Sequence, residues 1–269
     1  MSDRLAREQA FHDARFAEGG EARSADRFYA INAASDRFFR DQIEQLPPNS
    51  YLLDYGCGDA AYCAIHGAQS GHRVAAMDIS PVAIERAKAK AMRLGFSDRI
   101  EFQVMNAEEL EFADASFDAV GGLGVLHHLD LEIALASVTR VLKPEGKAFF
   151  VEPLGHNPLI NLFRRRTPEQ RSPDEHPLLM DDLELIRRFF GELDASYFHL
   201  LGLLALPASG RSFLDRAVQR LDAADQALFR HVTMSRKHAW MVGLSLAKPR
   251  PAAAQLHAEP SPGASAALP

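Results

Sequence analysis

The eight residues Asp54-Tyr55-Gly56-Cys57-Gly58-Asp59-Ala60-Ala61 combine types and spacing that could hold a ligand. Two glycines flanking a cysteine, at the end of an apolar run, let the chain turn tightly and let a ligand lie directly against backbone. Gly56, Gly58 and Ala61 satisfy the G-x-G-x-x-G/A dinucleotide fingerprint, and Asp78 follows where an acid for a ribose is expected. A nicotinamide dinucleotide in an oxidoreductase is therefore one reading. Charge favours another. A diphosphate needs positive potential, whereas the turn carries Asp54 and Asp59 and is expected to have no basic residue nearby. Carboxylates there suit a ligand bearing ammonium and sulfonium charges, such as S-adenosylmethionine.

Proton-transfer candidates lie further on. His127 and His128 follow an apolar segment and could supply a general base, a group needed only when the acceptor is not already a nucleophilic anion or amine. Equally, one imidazole could cap the helix near Asp130 or pack beneath a bound ligand. Glu152, His156, Asn157 and Arg164 cluster in a polar stretch after the next apolar segment, where loops carry specificity. There His156 and Asn157 could also be plain turn formers. Arg164-Arg165-Arg166 could fork an anionic group of an acceptor, or could pair with Asp174-Glu175-His176 in the same loop. Tyr29, in the leading segment, is an aromatic that packs or faces a substrate. No HExxH and no Cys/His set with zinc spacing is present, so no metal is expected.

These residues need a scaffold. Short strands are predicted at 51–55, 73–77, 100–105, 117–122 and 147–152, alternating with helices at 60–70, 81–94 and 131–142. Such alternation implies an α/β fold: a doubly wound, mostly parallel sheet that binds ligands beyond the carboxyl ends of its strands. Residues 153–179 read as a loop on the substrate side. A helix at 180–190, a strand at 195–200, a helix at 212–230 and a strand at 238–246 complete seven strands, with a helical insertion over 201–236. Residues 1–46 read as a cap of two helices ending at Pro47-Pro48, and 249–269, rich in Pro, Ala, Ser and Gly, as a disordered tail.

Composition narrows the partners. The 269 residues are 47% hydrophobic and 25% charged, with 30 basic against 36 acidic side chains and a net charge of −6. That balance disfavours a nucleic-acid backbone as the main partner, since such binders carry a basic stripe. Two cysteines, Cys57 and Cys63, make no disulfide framework, and no apolar leader or membrane span is visible, so a cytoplasmic location is expected.

Residues 51–152 resemble the class I S-adenosylmethionine-dependent methyltransferases in several elements taken in order. Leu53-Asp54-Tyr55-Gly56-Cys57-Gly58 resembles the family's first motif, Met77-Asp78-Ile79-Ser80 the end of its second strand, and Asn106-Ala107-Glu108 the D-A-E element after its third. Phe117-Asp118-Ala119-Val120 and Leu126-His127-His128-Leu129 resemble the fourth strand and its exit, and Val141-Leu142-Lys143-Pro144-Glu145-Gly146 the turn before the fifth. The resemblance implies a Rossmann-like methyltransferase fold, leading helices that close over the cofactor, and cofactor contacts from Asp54, Gly56, Cys57, Gly58, Asp78, Ile79, Asn106, Ala107, Glu108, Gly122 and Leu123. Asp78 would take both ribose hydroxyls and Asn106, in place of the usual Asp, the adenine amino group. Ala60 replaces the motif's third glycine. The implied reaction is methyl transfer to the O, N or C of a small acceptor, anionic in one version, with His127, His128 or His156 as base and Tyr29, Glu152, Asn157 and Arg164 toward the substrate. A cofactor-binding module without chemistry is the third reading.

Overall fold

A computed structural model describes residues 3–17, 31–208 and 214–250. Two leading helices, α1 (Asp3–Ala17) and α2 (Ala33–Glu44), precede β1 (Tyr51–Tyr55), α3 (Tyr62–Gln69), β2 (Arg73–Asp78), α4 (Pro81–Arg93), β3 (Ile100–Val104) and β4 (Phe117–Leu123). Then come α5 (Leu131–Val141), β5 (Leu142–Pro153), α6 (Pro158–Arg166), α7 (Met180–Phe189), β6 (Phe190–Phe198), α8 (Leu214–His231) and β7 (Met241–Pro249). Tyr29 and the 251–269 segment lie outside the described residues.

The seven strands form one sheet in the order β3-β2-β1-β4-β5-β7-β6. β1 pairs in parallel with β2 and β4, and only β7 runs antiparallel, against both β5 and β6. Both faces are covered, which is why the central strands are mostly apolar, with acids at or near their ends. Leu52, Val74, Ala76, Ala119 and Phe149 face α2, α3 and α4, while Leu53, Ala75, Met77, Val120 and Phe150 face the other layer, with α5 and α7. The order of strands reverses between β1 and β4, so the loops leaving Tyr55 and Leu123 diverge and open a crevice there.

Helix starts follow local chemistry. Ser80, with Pro81 at the first helical position, caps α4 by accepting from the Ala83 amide, and Asp130 caps α5 by accepting from Ile133. The polar stretch 153–179 departs from the loop expected of it. Asn157 accepts from the amides of Leu159 and Ile160, Pro158 opens a helix through Arg166, and Leu154 bridges Leu178. Three other boundaries shift: β5 begins at Leu142, β6 spans 190–198 rather than 195–200, and β7 runs 241–249, carrying sheet pairing past Lys248. Pairing decides these ends, since Phe190 faces Pro249 and Phe117 faces Leu142 across the ladder. The insertion between β6 and β7 holds short 3-10 turns and α8; its Leu203 and Ala205 pack with Ile31, Ile160 and Val218. No described helix is long and apolar enough to cross a membrane.

Candidate active site

At the crevice lies a cavity of about 260 Å³. Its floor is the β1 turn, and backbone hydrogen bonds fix that turn against β2. The Cys57 amide donates to the Met77 carbonyl at 2.9 Å, and the Gly58 amide to Asp78 Oδ2 at 2.8 Å. Gly56 has φ +71°, and a Cβ there would meet Val125 Cγ2 at 2.5 Å, so conformation and space both demand glycine. Ala61 is left-handed at φ 43° and delays the start of α3 to Tyr62, two residues after the expected Ala60.

Two buried carboxylates flank the turn. Asp54 accepts from the Ala64 amide in the first turn of α3 at 2.8 Å and is only 2% exposed. Burial, with the nearby charge of Asp78, pushes its carboxyl up to about 7. Asp78 binds the amides of Gly58 and Ser80 with separate oxygens, and burial raises it as well. Each oxygen keeps a further lone pair for a ligand. The turn is less bare of cations than the sequence reading has it. Arg86 reaches to 3.8 Å from Asp59, Lys90 donates to the Ala60 carbonyl, and Arg15 lines the cavity. Sequence distance hid them, because α4 and α1 bring them in from outside the motif.

Of the expected cofactor contacts, Asp54, Gly56, Cys57, Gly58, Asp78, Ile79, Asn106, Ala107 and Leu123 line the cavity, whereas Glu108 and Gly122 do not. Glu108 pairs with Arg4 and accepts from the Asp130 amide; Gly122 is packed against Val125 and Phe150. Asn106 Oδ1 already accepts from the Glu108 amide at 3.0 Å, leaving its NH2 and a second lone pair for a ligand.

The histidines separate. His128 lines the cavity, and burial lowers its affinity for a proton. His127 lies outside the lining: its Nδ1 is 2.7 Å from Glu152 Oε2, and Glu152 Oε1 accepts from the amides of Val125 and Leu126. Burial pushes Glu152 up to about 7 and His127 down to about 3, so the imidazole is held uncharged and a single proton serves the Nδ1–Oε2 hydrogen bond. His156 Nε2 accepts from the Met180 amide at the start of α7. Asn157 caps α6 and donates to the His238 carbonyl at 2.6 Å. Arg164 donates to the Leu154 carbonyl and to Asn161, with burial lowering it to about 10. Thus Glu152 holds the turn after β4, His156, Asn157 and Arg164 tie down the 153–179 stretch, and none of the four lines the cavity. Asp174 accepts from Arg7 of α1 instead of the loop arginines.

The roof is α1, one of the leading helices expected to close over the cofactor, although its individual lining residues lie outside the motifs. Leu5, Glu8, His12, Arg15 and Phe16 line the cavity from one helix stripe. The signal available in sequence was a titratable pair, Glu8 and His12, on that stripe. Arg4 donates to the His128 carbonyl and pairs with Glu108, while Asp13 accepts from the Ser80 hydroxyl, fastening α1 over the crevice.

A doubly wound sheet with an acid-lined pocket at its switch point is the arrangement that the methyltransferase resemblance implies. Comparison with known proteins agrees. Residues 53–150 match the family described as Methyltransferase domain, the stretch in which the resemblance to class I S-adenosylmethionine-dependent methyltransferases lies. The 27-O-demethylrifamycin SV methyltransferase of Amycolatopsis mediterranei is 36% identical over 97 residues, 36% of each chain. The ubiquinone/menaquinone biosynthesis C-methyltransferase UbiE of Rickettsia felis is 36% identical over 124 residues, 43% of this chain and 50% of its own. The chain thus matches half or less of the length of these curated relatives. In fold, it is similar to the geranyl diphosphate C-methyltransferase of Streptomyces coelicolor A3(2), with TM-score 0.62 and 14% identity, over 92% of this chain and 98% of that one.

Proposed function

We propose that this protein transfers the methyl group of S-adenosylmethionine to a small organic acceptor. One observation carries the reading most: Asp54 and Asp78 are both buried at the cavity floor, where negative charge suits a cationic ligand and disfavours the diphosphate of NAD(P). Asp54 and the turn amides would hold the methionine part, Asp78 the ribose hydroxyls, and Asn106 and Ile79 the adenine.

Methyl transfer proceeds in line, with the S–C bond breaking as the bond to the acceptor forms and positive charge dispersing. A closed pocket that excludes water and aligns the partners supplies most of the acceleration. The roof of α1 supports such closure. His128, alone among the three candidate bases, lines the cavity, and burial disfavours its charged form, which supports it as the group that accepts a proton from a hydroxyl acceptor. The names of the curated relatives favour small molecules over nucleic acid as acceptors, and so does the net charge of −6. Two buried free thiols, Cys57 and Cys63, fit a reducing compartment such as the cytoplasm.

Calorimetry tests the cofactor: micromolar binding of S-adenosylhomocysteine without binding of NADH is expected, and the reverse ends the proposal. Transfer of label from methyl-labelled S-adenosylmethionine to a panel of small hydroxyl, amine and quinol acceptors separates an enzyme from a binding module.

A further inference from the structure

Where α1 meets the turn after β4, three side chains converge in a way their hydrogen bonds do not explain. Glu8 Oε2 lies 3.2 Å from His128 Nδ1 and 3.5 Å from His12 Nε2. Glu8 is 3% and His128 8% exposed, yet neither Glu8 Oε2 nor His128 Nδ1 has a hydrogen-bond partner. A charge-assisted N–H···O bond closes to about 2.8 Å, so these separations are too long for a tight ion pair. They fit something else. Ligand bonds of about 2.1 Å in a tetrahedron put neighbouring donor atoms about 3.4 Å apart, and two imidazole nitrogens with one carboxylate oxygen are a common donor set for zinc.

We propose that Glu8, His12 and His128 hold a divalent transition-metal ion of the zinc or cobalt kind. The donor atoms all lie within 4.8 Å of one another, and the rings of His12 and His128 stand nearly perpendicular, at 77°, with centroids 4.9 Å apart. Glu8 and His12, one helical turn apart, offer their donors from one face of α1. Ser172 Oγ donates to the other oxygen of Glu8, which orients the carboxylate as outer hydrogen bonds orient metal ligands. A second grouping, His127 with His128 and Glu175, contains no unpartnered buried atom besides that of His128. All three ligands line the cavity, so the remaining coordination position opens into it and takes an oxygen ligand, either water or the hydroxyl or enolate oxygen of an acceptor. The acceptor part of this inference rests on the methyltransferase reading; the metal site does not. With Nδ1 on the ion, His128 would act as a ligand in place of a base, and the ion would acidify a bound hydroxyl whose proton passes to solvent.

The test is titration of chelator-treated, full-length protein with cobalt(II) chloride, followed by visible absorption. One equivalent should bind and give the intense bands of tetrahedral cobalt, with affinity about tenfold or more weaker in Glu8→Gln and in His12→Ala, and moderately weaker in Ser172→Ala. Binding of S-adenosylhomocysteine, measured on the same samples by calorimetry, reports on the cofactor reading separately. Failure of the wild-type protein to bind one cobalt ion overturns the proposal without reference to any variant. So does unchanged affinity in variants that keep the wild-type circular dichroism.

Discussion

Asp54 is a carboxyl group in conflict with its surroundings: it is buried, it caps α3 through the Ala64 amide, and its proton affinity rises from 3.8 to about 7. Between those two values the folded protein holds a proton that the unfolded chain has released. Asp54's contribution to stability is therefore full below the lower value and is lost as pH rises toward 7. A cationic ligand reverses the preference. Binding S-adenosylmethionine should require the ionised carboxylate, so affinity should rise with pH by up to about tenfold per unit and level off above about 7. Calorimetry across pH in wild-type and Asp54→Asn should show the slope in the first and its loss in the second. Asp78→Ala should weaken S-adenosylhomocysteine binding by about 1.5 to 3 kcal/mol, the scale of lost charge-assisted hydrogen bonds. Since Asp78 also holds the Gly58 and Ser80 amides, comparison with Asp78→Asn shows how much of that loss comes from the turn.

Among the elements, α6 shows how a loop of polar residues acquires structure. Asn157 fills both ends of its amide, capping the helix with Oδ1 and satisfying the His238 carbonyl with Nδ2. Asn157→Ala should cost about 1 to 3 kcal/mol, from a lost cap and an unpaired carbonyl, in urea unfolding. Because Asn157 does not line the cavity, affinity for S-adenosylhomocysteine should stay within about twofold, which a substrate-contact role would not require. Asn-Pro ahead of an apolar residue is the local signal of this cap, and it outweighs the polar composition that predicts a loop over 153–179. The strands that were placed well, β1, β2 and β4, are short apolar runs bounded by turn residues. The strands whose ends moved, β5, β6 and β7, owe those ends to partners far away in sequence.

At the scale of the molecule, α1 is attached differently from everything it covers. Glu8 is its one buried residue, and its hold on the body comes from polar contacts: Arg4 with Glu108, Arg7 with Asp174, Asp13 with Ser80 and the Ala17 carbonyl with Arg86. The central strands are instead buried on both faces. Elements with few apolar contacts open at low free-energy cost. Amide hydrogen exchange should therefore be fast in α1 and slowest in β1, β4 and β5, and S-adenosylhomocysteine should slow α1 selectively. Equal protection of α1 with and without ligand would remove its role as roof.

Half of the site is local in sequence and was legible there: the glycine turn, Asp54, Asp78 and Asn106 belong to strand ends, where a tight turn and an acid define their own surroundings within a few residues. Which of two adjacent histidines meets the cavity could not be read in this way. A short helical turn after β4 points His127 toward Glu152 and His128 toward Glu8, and that choice depends on packing against β5 and α1. The roof, with its Glu8 and His12, was beyond the motifs for the same reason: an isolated amphipathic helix shows which residues share a face, while the surface that face covers is set by contacts more than a hundred residues away along the chain.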